Sequence, residues 1–313
     1  MSKILTIGEI LVEIIATERG NGFREAVPLI GPFPSGAPAI FIDQVGKLGQ
    51  DCAIISRVGD DDFGHVNLDR LKADGVDVSG IEVVAQGTTG SAFVRYRQDG
   101  SRAFVFNIRH SACGVIELSQ AALRLIDTCT HMHVMGTALY APSVVASILT
   151  AVDRIKTRGG TVSFDPNLRP EILDSPGMRE ALKTVLSKTD LFMPSGDELF
   201  LFAETKTEEA AVAELLATGI KAVVVKRGAA GASYFDTETK FTLPGFPVEE
   251  VDPTGAGDCF GATFVTFWLA GAELREALLY ANASGARAVT KAGPMEGASS
   301  RAELEELIAS KGN

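Results

Sequence analysis

The stretch Asp252-Pro253-Thr254-Gly255-Ala256-Gly257-Asp258 sets a carboxylate beside a turn of small residues, just ahead of the apolar run 259–269. A Gly-rich turn that opens a helix leaves backbone N–H groups unpaired. With the positive end of the helix dipole, those donors suit anionic oxygens. Anion-holding amides next to a carboxylate fit transfer of a phosphoryl group to a hydroxyl. The amides would hold the developing charge, and the carboxylate, Asp258, would take the proton. A plainer reading stands beside this one: an acid in a first helical turn is commonly a dipole partner, and Gly-Ala-Gly can be a simple turn. Two familiar phosphate motifs are absent. G-x-x-x-x-G-K-[ST] occurs nowhere, and Gly261 falls one residue late for a dinucleotide fingerprint begun by Gly255-x-Gly257.

Other polar groups gather where apolar runs end. Asp165, Asn167 and Arg169 leave a buried strand within five residues of one another. They are hard to place in a core, whereas a hydroxyl-rich ligand or phosphate oxygens would satisfy them. Ser195-Gly196-Asp197-Glu198 reads either as a capped helix start or as a polar ligand set. His131-x-His133 puts two rings on one face of a strand. With four histidines in the chain and no third ligand nearby, packing explains them better than a metal does. Asp60-Asp61-Asp62 fits a loop before a helix with acids in its first turn.

The elements that must position these groups follow from the hydrophobic pattern. Strands are expected at 3–8, 52–58, 131–135, 161–165, 190–193 and 221–226, with helices at about 39–48, 64–74, 119–126, 142–157, 178–187 and 207–216. Their alternation predicts an α/β fold, a mainly parallel sheet covered on both faces, with its site at the C-terminal ends of the strands. Prolines at 28, 32, 34 and 38 mark 28–38 as a loop. Runs 88–97 and 102–108 around Asp99-Gly100 predict a hairpin. Together with 10–30 it would form a small projecting sheet, a lid. An edge hairpin at 232–243 and helices at 257–269, at 273–290 and from 300 complete the chain.

The 313 residues, 46% hydrophobic, suffice for one large domain, or one with a small one. A net charge of −11 speaks against a nucleic-acid surface, yet leaves room for ATP in a local nest of amides. The four cysteines are scattered without a C-x-x-C, so neither zinc nor a disulfide framework is expected. No apolar run reaches the roughly 18 residues of a membrane span, and a reducing cytoplasm fits.

Asp252–Asp258 resembles the C-terminal signature of the ribokinase (PfkB-type) carbohydrate kinases. Pro34-Ser35-Gly36-Ala37-Pro38, Lys47-Leu48-Gly49 and Arg57-Val58-Gly59-Asp60-Asp61-Asp62-Phe63-Gly64 are similar to its N-terminal one. The resemblance covers nearly the whole chain and implies a single ribokinase-like kinase domain over 1–313, with lid segments at about 10–33 and 88–110. It implies transfer of the γ-phosphoryl group of ATP, with Mg²⁺, to a primary hydroxyl of a free sugar. By it Asp258 is the base and Gly255, Ala256 and Gly257 the anion hole. A helix N-terminus would keep Asp258 ionised, which a loose transition state tolerates because the proton moves late.

The same resemblance implies that Ser195, Glu198, Lys226, Gly228, Gly231 and Asn282 border the nucleotide, with Glu198 on Mg²⁺ through water. It implies a monovalent cation, K⁺, near Asp252 and Thr254. Glu13, Gly36, Asn107, Arg109, Asp165, Asn167 and Arg169 fall at sugar-side positions. Within the family the chain resembles fructokinases, tagatose kinases and 2-keto-3-deoxygluconate kinases. Arg109 matches an Arg that meets the acid group in the last of these, and Asp165-x-Asn167-x-Arg169 is similar to a run in fructokinases and 2-keto-3-deoxygluconate kinases. Two departures stand out: Ile40 replaces a substrate-binding Asn and Ser35 the first glycine of a pair. Glu13 lengthens an early Asp. A ketohexose is the expected substrate, with 2-keto-3-deoxygluconate as the alternative and an inactive sugar or nucleotide sensor as a reading from another class. Relatives that dimerise through their lids imply a homodimer.

Overall fold

The computed structural model describes residues 2–20, 22–99, 102–168, 177–205 and 207–311. The strands are β1 (Ile4–Ile7), β2 (Leu11–Ala16), β3 (Leu29–Ser35), β4 (Cys52–Gly59), β5 (Asp77–Val84), β6 (Gly90–Tyr96), β7 (Arg102–Asn107), β8 (His131–Met135), β9 (Thr161–Asp165), β10 (Leu191–Phe192), β11 (Ala222–Lys226), β12 (Ala232–Phe235) and β13 (Lys240–Leu243). The α-helices are α1 (Ala37–Lys47), α2 (Asp62–Ala73), α3 (Gln120–Thr128), α4 (Pro142–Thr157), α5 (Met178–Leu186), α6 (Glu208–Ala217), α7 (Ala256–Leu269), α8 (Leu274–Ala288) and α9 (Arg301–Lys311).

The large sheet runs β13-β12-β11-β10-β9-β8-β1-β4-β5. From β11 to β5 every pairing is parallel, and β12 and β13 are added antiparallel at one edge. Its buried strands are mainly apolar on both faces, as a sheet covered by two helical layers requires, with Thr6, His131, His133 and Ser163 among the buried polar exceptions. Period-2 alternation sends Leu5 to a core shared with α3, α4, α5 and α6, and Ile4 to one shared with α1, α2, α7 and α8. This architecture matches the α/β expectation of a mainly parallel sheet covered on both faces.

A four-stranded sheet, β3-β2-β6-β7, stands beside the large one. β2 lines up parallel with β6, while β3 and β7 pair antiparallel at the two edges. The expected loop at 28–38 is instead β3 and the start of α1. Pro32 and Pro34 are tolerated there because β3 is an edge strand, and a proline can sit where no ladder donor is needed. A second strand, β5, goes beyond the sequence reading. Gly80 breaks its apolar pattern, and a Cβ at that position would stand 2.6 Å from the Ile54 carbonyl oxygen. As the edge strand of the large sheet, β5 is only partly buried, so its hydrophobic signal is weak.

Candidate active site

Parallel strands deliver their C-terminal ends to one rim of the sheet, and α7 begins above that rim. Gly255 caps α7 with φ 83°. A Cβ there would stand 2.3 Å from the Pro294 carbonyl oxygen, so the turn accepts only glycine without rearrangement. Asp258 follows in the first turn, 5% exposed. Asn167 Nδ2 donates to Asp258 Oδ1 at 2.9 Å and so orients the carboxylate. Asn167 itself adopts φ 39°, a left-handed conformation that asparagine tolerates, with its N–H donating to Asp165 Oδ1 at 3.1 Å.

Lys226, at the end of β11, forms a buried ion pair with Asp165, at the end of β9. Its Nζ lies 3.6 Å from where a Cβ on Gly257 would stand, which brings a cation to the helix start. Glu198 accepts from the N–H groups of Ser195 and Leu168, each at 2.7 Å. Ser195 and Glu198 thus form a capping box at the turn 196–201. Burial and, after it, the charge of Asp165 push the Glu198 carboxyl up, while Lys226 and the two N–H donors oppose them.

Two cavities flank the start of α7. The first, about 350 Å³, is lined by Glu9, Glu13, Ser35, Gly36, Thr254 and Asp258, and by Phe104 and Phe106 of the small sheet. The second, about 550 Å³, is lined by Ser195, Lys226, Gly228, Gly231, Ala256, Gly257 and Asn282. Every expected nucleotide-side residue except Glu198 borders that second cavity. Asn282 Nδ2 reaches the Leu243 and Pro244 carbonyls at 3.4 and 3.1 Å, tying down the strand end and loop beside it.

The sugar-side expectations divide. Glu13, Gly36 and Arg109 border the first cavity, Arg109 as an exposed rim residue. Ser35 Oγ donates to Glu13 Oε1 at 3.1 Å, so one departure from the family pattern meets the lengthened acid, and Ile40, the other departure, lines the same space. Asp165 differs from expectation: it is fully buried against Lys226 and borders neither cavity. The cost of burying a carboxylate explains why it is paired. Asn167 holds Asp258 rather than lining the cavity. Asn107 is exposed and turned into a neighbouring cleft, where Nδ2 donates to Ser91 Oγ at 3.3 Å. Arg169 lies outside the described residues.

Asp252 Oδ1 accepts from Thr254 N at 3.0 Å and from the Tyr96 hydroxyl at 3.3 Å, and Oδ2 accepts from Gly293 N at 3.2 Å. Thr254 Oγ1 accepts from Arg102 at 2.7 Å. The sequence reading passed over Glu9, Thr137 and Tyr140, all buried and all lining the first cavity. Glu9 was within reach, because it follows β1 at the rim where sites in such sheets collect.

The pfkB family carbohydrate kinase pattern matches residues 1–301. The chain belongs to the PfkB family of carbohydrate kinases. It is accordingly a phosphotransferase with an alcohol group as acceptor. Fructokinase-2 of Zea mays is 31% identical over 98% of this kinase and 94% of its own length. Fructokinase-1 of Oryza sativa subsp. japonica is 31% identical over 98% of both chains. An E. coli protein crystallised with ATP and Mg²⁺ is 50% identical, with a TM-score of 0.94 over 99% of this chain and 100% of that one. A fructokinase of Vibrio cholerae O395, crystallised with fructose, ADP and calcium, is 27% identical, with a TM-score of 0.84 over 98% of this chain and 99% of that one.

Proposed function

We propose that this kinase transfers the γ-phosphoryl group of ATP to a primary hydroxyl of a neutral ketohexose of the fructose or tagatose kind. One observation carries the reading: a single helix start borders both cavities, with Asp258 on the smaller and Ala256 and Gly257 on the larger. A sugar in the first would present its hydroxyl to Asp258, and a nucleotide in the second would bring its terminal phosphate to the glycine amides. Asn167 holds the Asp258 carboxylate in position, Asp258 takes the hydroxyl proton, and the amides with Lys226 hold the charge on the transferred group. Full-length similarity to plant fructokinases supports the ketohexose. A keto-acid is disfavoured because Glu9, Glu13 and Asp258 line the interior while Arg109 stays at the rim.

Mg²⁺ keeps most of its waters and binds through substrate phosphates and one or two carboxylates. Glu198 would hold it through water. When bound, Mg²⁺ neutralises phosphate charge. A K⁺ ion would sit beside the buried Asp252, and turnover unchanged on exchanging K⁺ for a bulky amine cation refutes that part.

The small sheet acts as the lid. Its outer strands expose Leu29, Ile30 and Val105, each about half exposed. A homodimer through that face covers them, and a sedimentation mass of one chain refutes it. The protein works in the cytoplasm, in keeping with four buried free cysteines.

The deciding experiment is ADP release with ATP and Mg²⁺ across fructose, tagatose, ribose, 2-keto-3-deoxygluconate and adenosine. Asp258→Asn is expected to bind sugar but lose about 10²–10⁴-fold in kcat. Turnover on the keto-acid alone overturns the substrate class, and equal rates in both proteins overturn Asp258 as the base.

A further inference from the structure

We propose that Arg102 and Tyr96 form a latch through which the lid sets the anion-hole turn, with Arg102 as a positioning residue for phosphoryl transfer. This rests on reading Gly255, Ala256 and Gly257 as the phosphoryl site. Tyr96 ends β6, Arg102 begins β7, and the two stand directly opposite each other in the antiparallel pair. Both cross to one short turn of the large sheet's side, 252–254: the Tyr96 hydroxyl to Asp252 and the Arg102 guanidinium to Thr254. Thr254 N also donates to Asp252 Oδ1, so the two lid contacts grip one hydrogen-bonded turn. That turn leads straight into Gly255.

The position of the turn gives the latch its consequence. Thr254 is buried and lines the sugar cavity, while Pro253 lines the nucleotide cavity, so the gripped residues are the wall between them. Arg102, Phe104 and Phe106 share one face of β7 by the period of two, and the guanidinium stands 5.6 Å from the Phe104 ring centre. Phe104 and Phe106 stack on each other and line the sugar cavity. The strand face that covers the sugar therefore also carries the cation that holds Thr254. A seated sugar fixes the two rings, the rings fix Arg102, and Arg102 fixes the approach to the anion hole.

The chemistry of the two side chains suits the task. A guanidinium keeps its charge at any working pH and has donors beyond the one given to Thr254. The Tyr96 phenol donates its hydroxyl hydrogen to the Asp252 carboxylate, which can only accept. The latch makes efficient transfer conditional on a covered sugar and leaves bound ATP poorly placed for attack by water before closure.

The test compares Arg102→Met, Arg102→Ala, Arg102→Lys and Tyr96→Phe with the wild type, on whichever sugar the wild type turns over. Arg102→Met should lower kcat about 10²-fold while the KM for sugar changes far less. Arg102→Lys should keep part of the rate, and Tyr96→Phe should lose only several-fold. Added guanidinium ion should restore part of the Arg102→Ala rate. Two results overturn the latch: an unchanged kcat with a raised KM for sugar, which makes Arg102 only a cover, or a fallen kcat with lowered melting temperature and no rescue. The kinase reading fails separately, by a wild type silent on every sugar.

Discussion

Lys226 and Asp165 leave the ends of β11 and β9, with β10 between them, and meet with side chains 9% and 0% exposed. Lys226→Met keeps most of the length of the side chain and removes its charge. Asp165 is then left buried, its Oδ1 accepting the Asn167 N–H and its Oδ2 without the ammonium. Breaking a buried pair from one side costs about 3–5 kcal/mol, because the remaining charge is uncompensated. At roughly 2 °C per kcal/mol for a chain of this size, the melting temperature should fall by about 6–10 °C. Adding Asp165→Asn removes the stranded charge and should recover much of that loss. Activity should not recover with it, because the cation that stood beside Gly257 is still missing. Thermal melts of the wild type, both singles and the double, with ADP release for each, check the argument. A Lys226→Met melt within about 2 °C of the wild type, or a double no more stable than Lys226→Met, would refute the reasoning.

Gly255→Ala should lower kcat steeply, because its Cβ meets the Pro294 carbonyl at 2.3 Å and the left-handed backbone adds about 1–2 kcal/mol; a variant as active as wild type contradicts the turn geometry. Asn282→Ala should raise the KM for ATP several-fold and leave the KM for sugar unchanged, since it frees the Leu243 and Pro244 carbonyls beside the nucleotide cavity. Stability should fall in acid. Burial holds His131 down to about 3 and His133 well below its usual value, the second helped by the charges of His131 and Lys226. Below an unfolded pKa of about 6.5 only the unfolded chain takes these protons, so each histidine costs about 1.4 kcal/mol per pH unit. Burial pushes Asp43 up to about 7, with Arg70 opposing it, and that acid works in the opposite sense from pH 7 down to its unfolded value. Glu198, also pushed up by burial, adds to that opposition, so the net fall between about pH 6.5 and 4 is at most one proton's worth, about 1.4 kcal/mol per unit. Urea midpoints against pH measure it, a flat profile contradicts it, and Asp43→Asn should about double the slope.

Local pattern carries a sequence reading furthest where an element's own residues decide its state. The apolar runs 131–135, 142–157 and 161–165 became β8, α4 and β9 over the same residues, because buried parallel strands and amphipathic helices each write their period into the chain. The turn Thr254-Gly255-Ala256-Gly257-Asp258 was legible for the same reason: a left-handed glycine, a helix start and a first-turn acid are all local requirements. What the chain could not state by itself was which polar groups face each other. Asp165 and Asn167 sit two residues apart, yet one is spent on Lys226, 61 positions away, and the other on Asp258, 91 positions away. Position in a sheet was equally hidden. Prolines that look like a loop are an edge strand in β3, because only a neighbour on one side demands hydrogen bonds. Tyr96 and Arg102 read as ordinary hairpin residues until folding carries them some 150 positions to Asp252 and Thr254. Residue type and spacing determined the chemistry available at the helix start. Long-range packing decided which side chains are left for the ligands, since each buried charge must first find a partner within the protein.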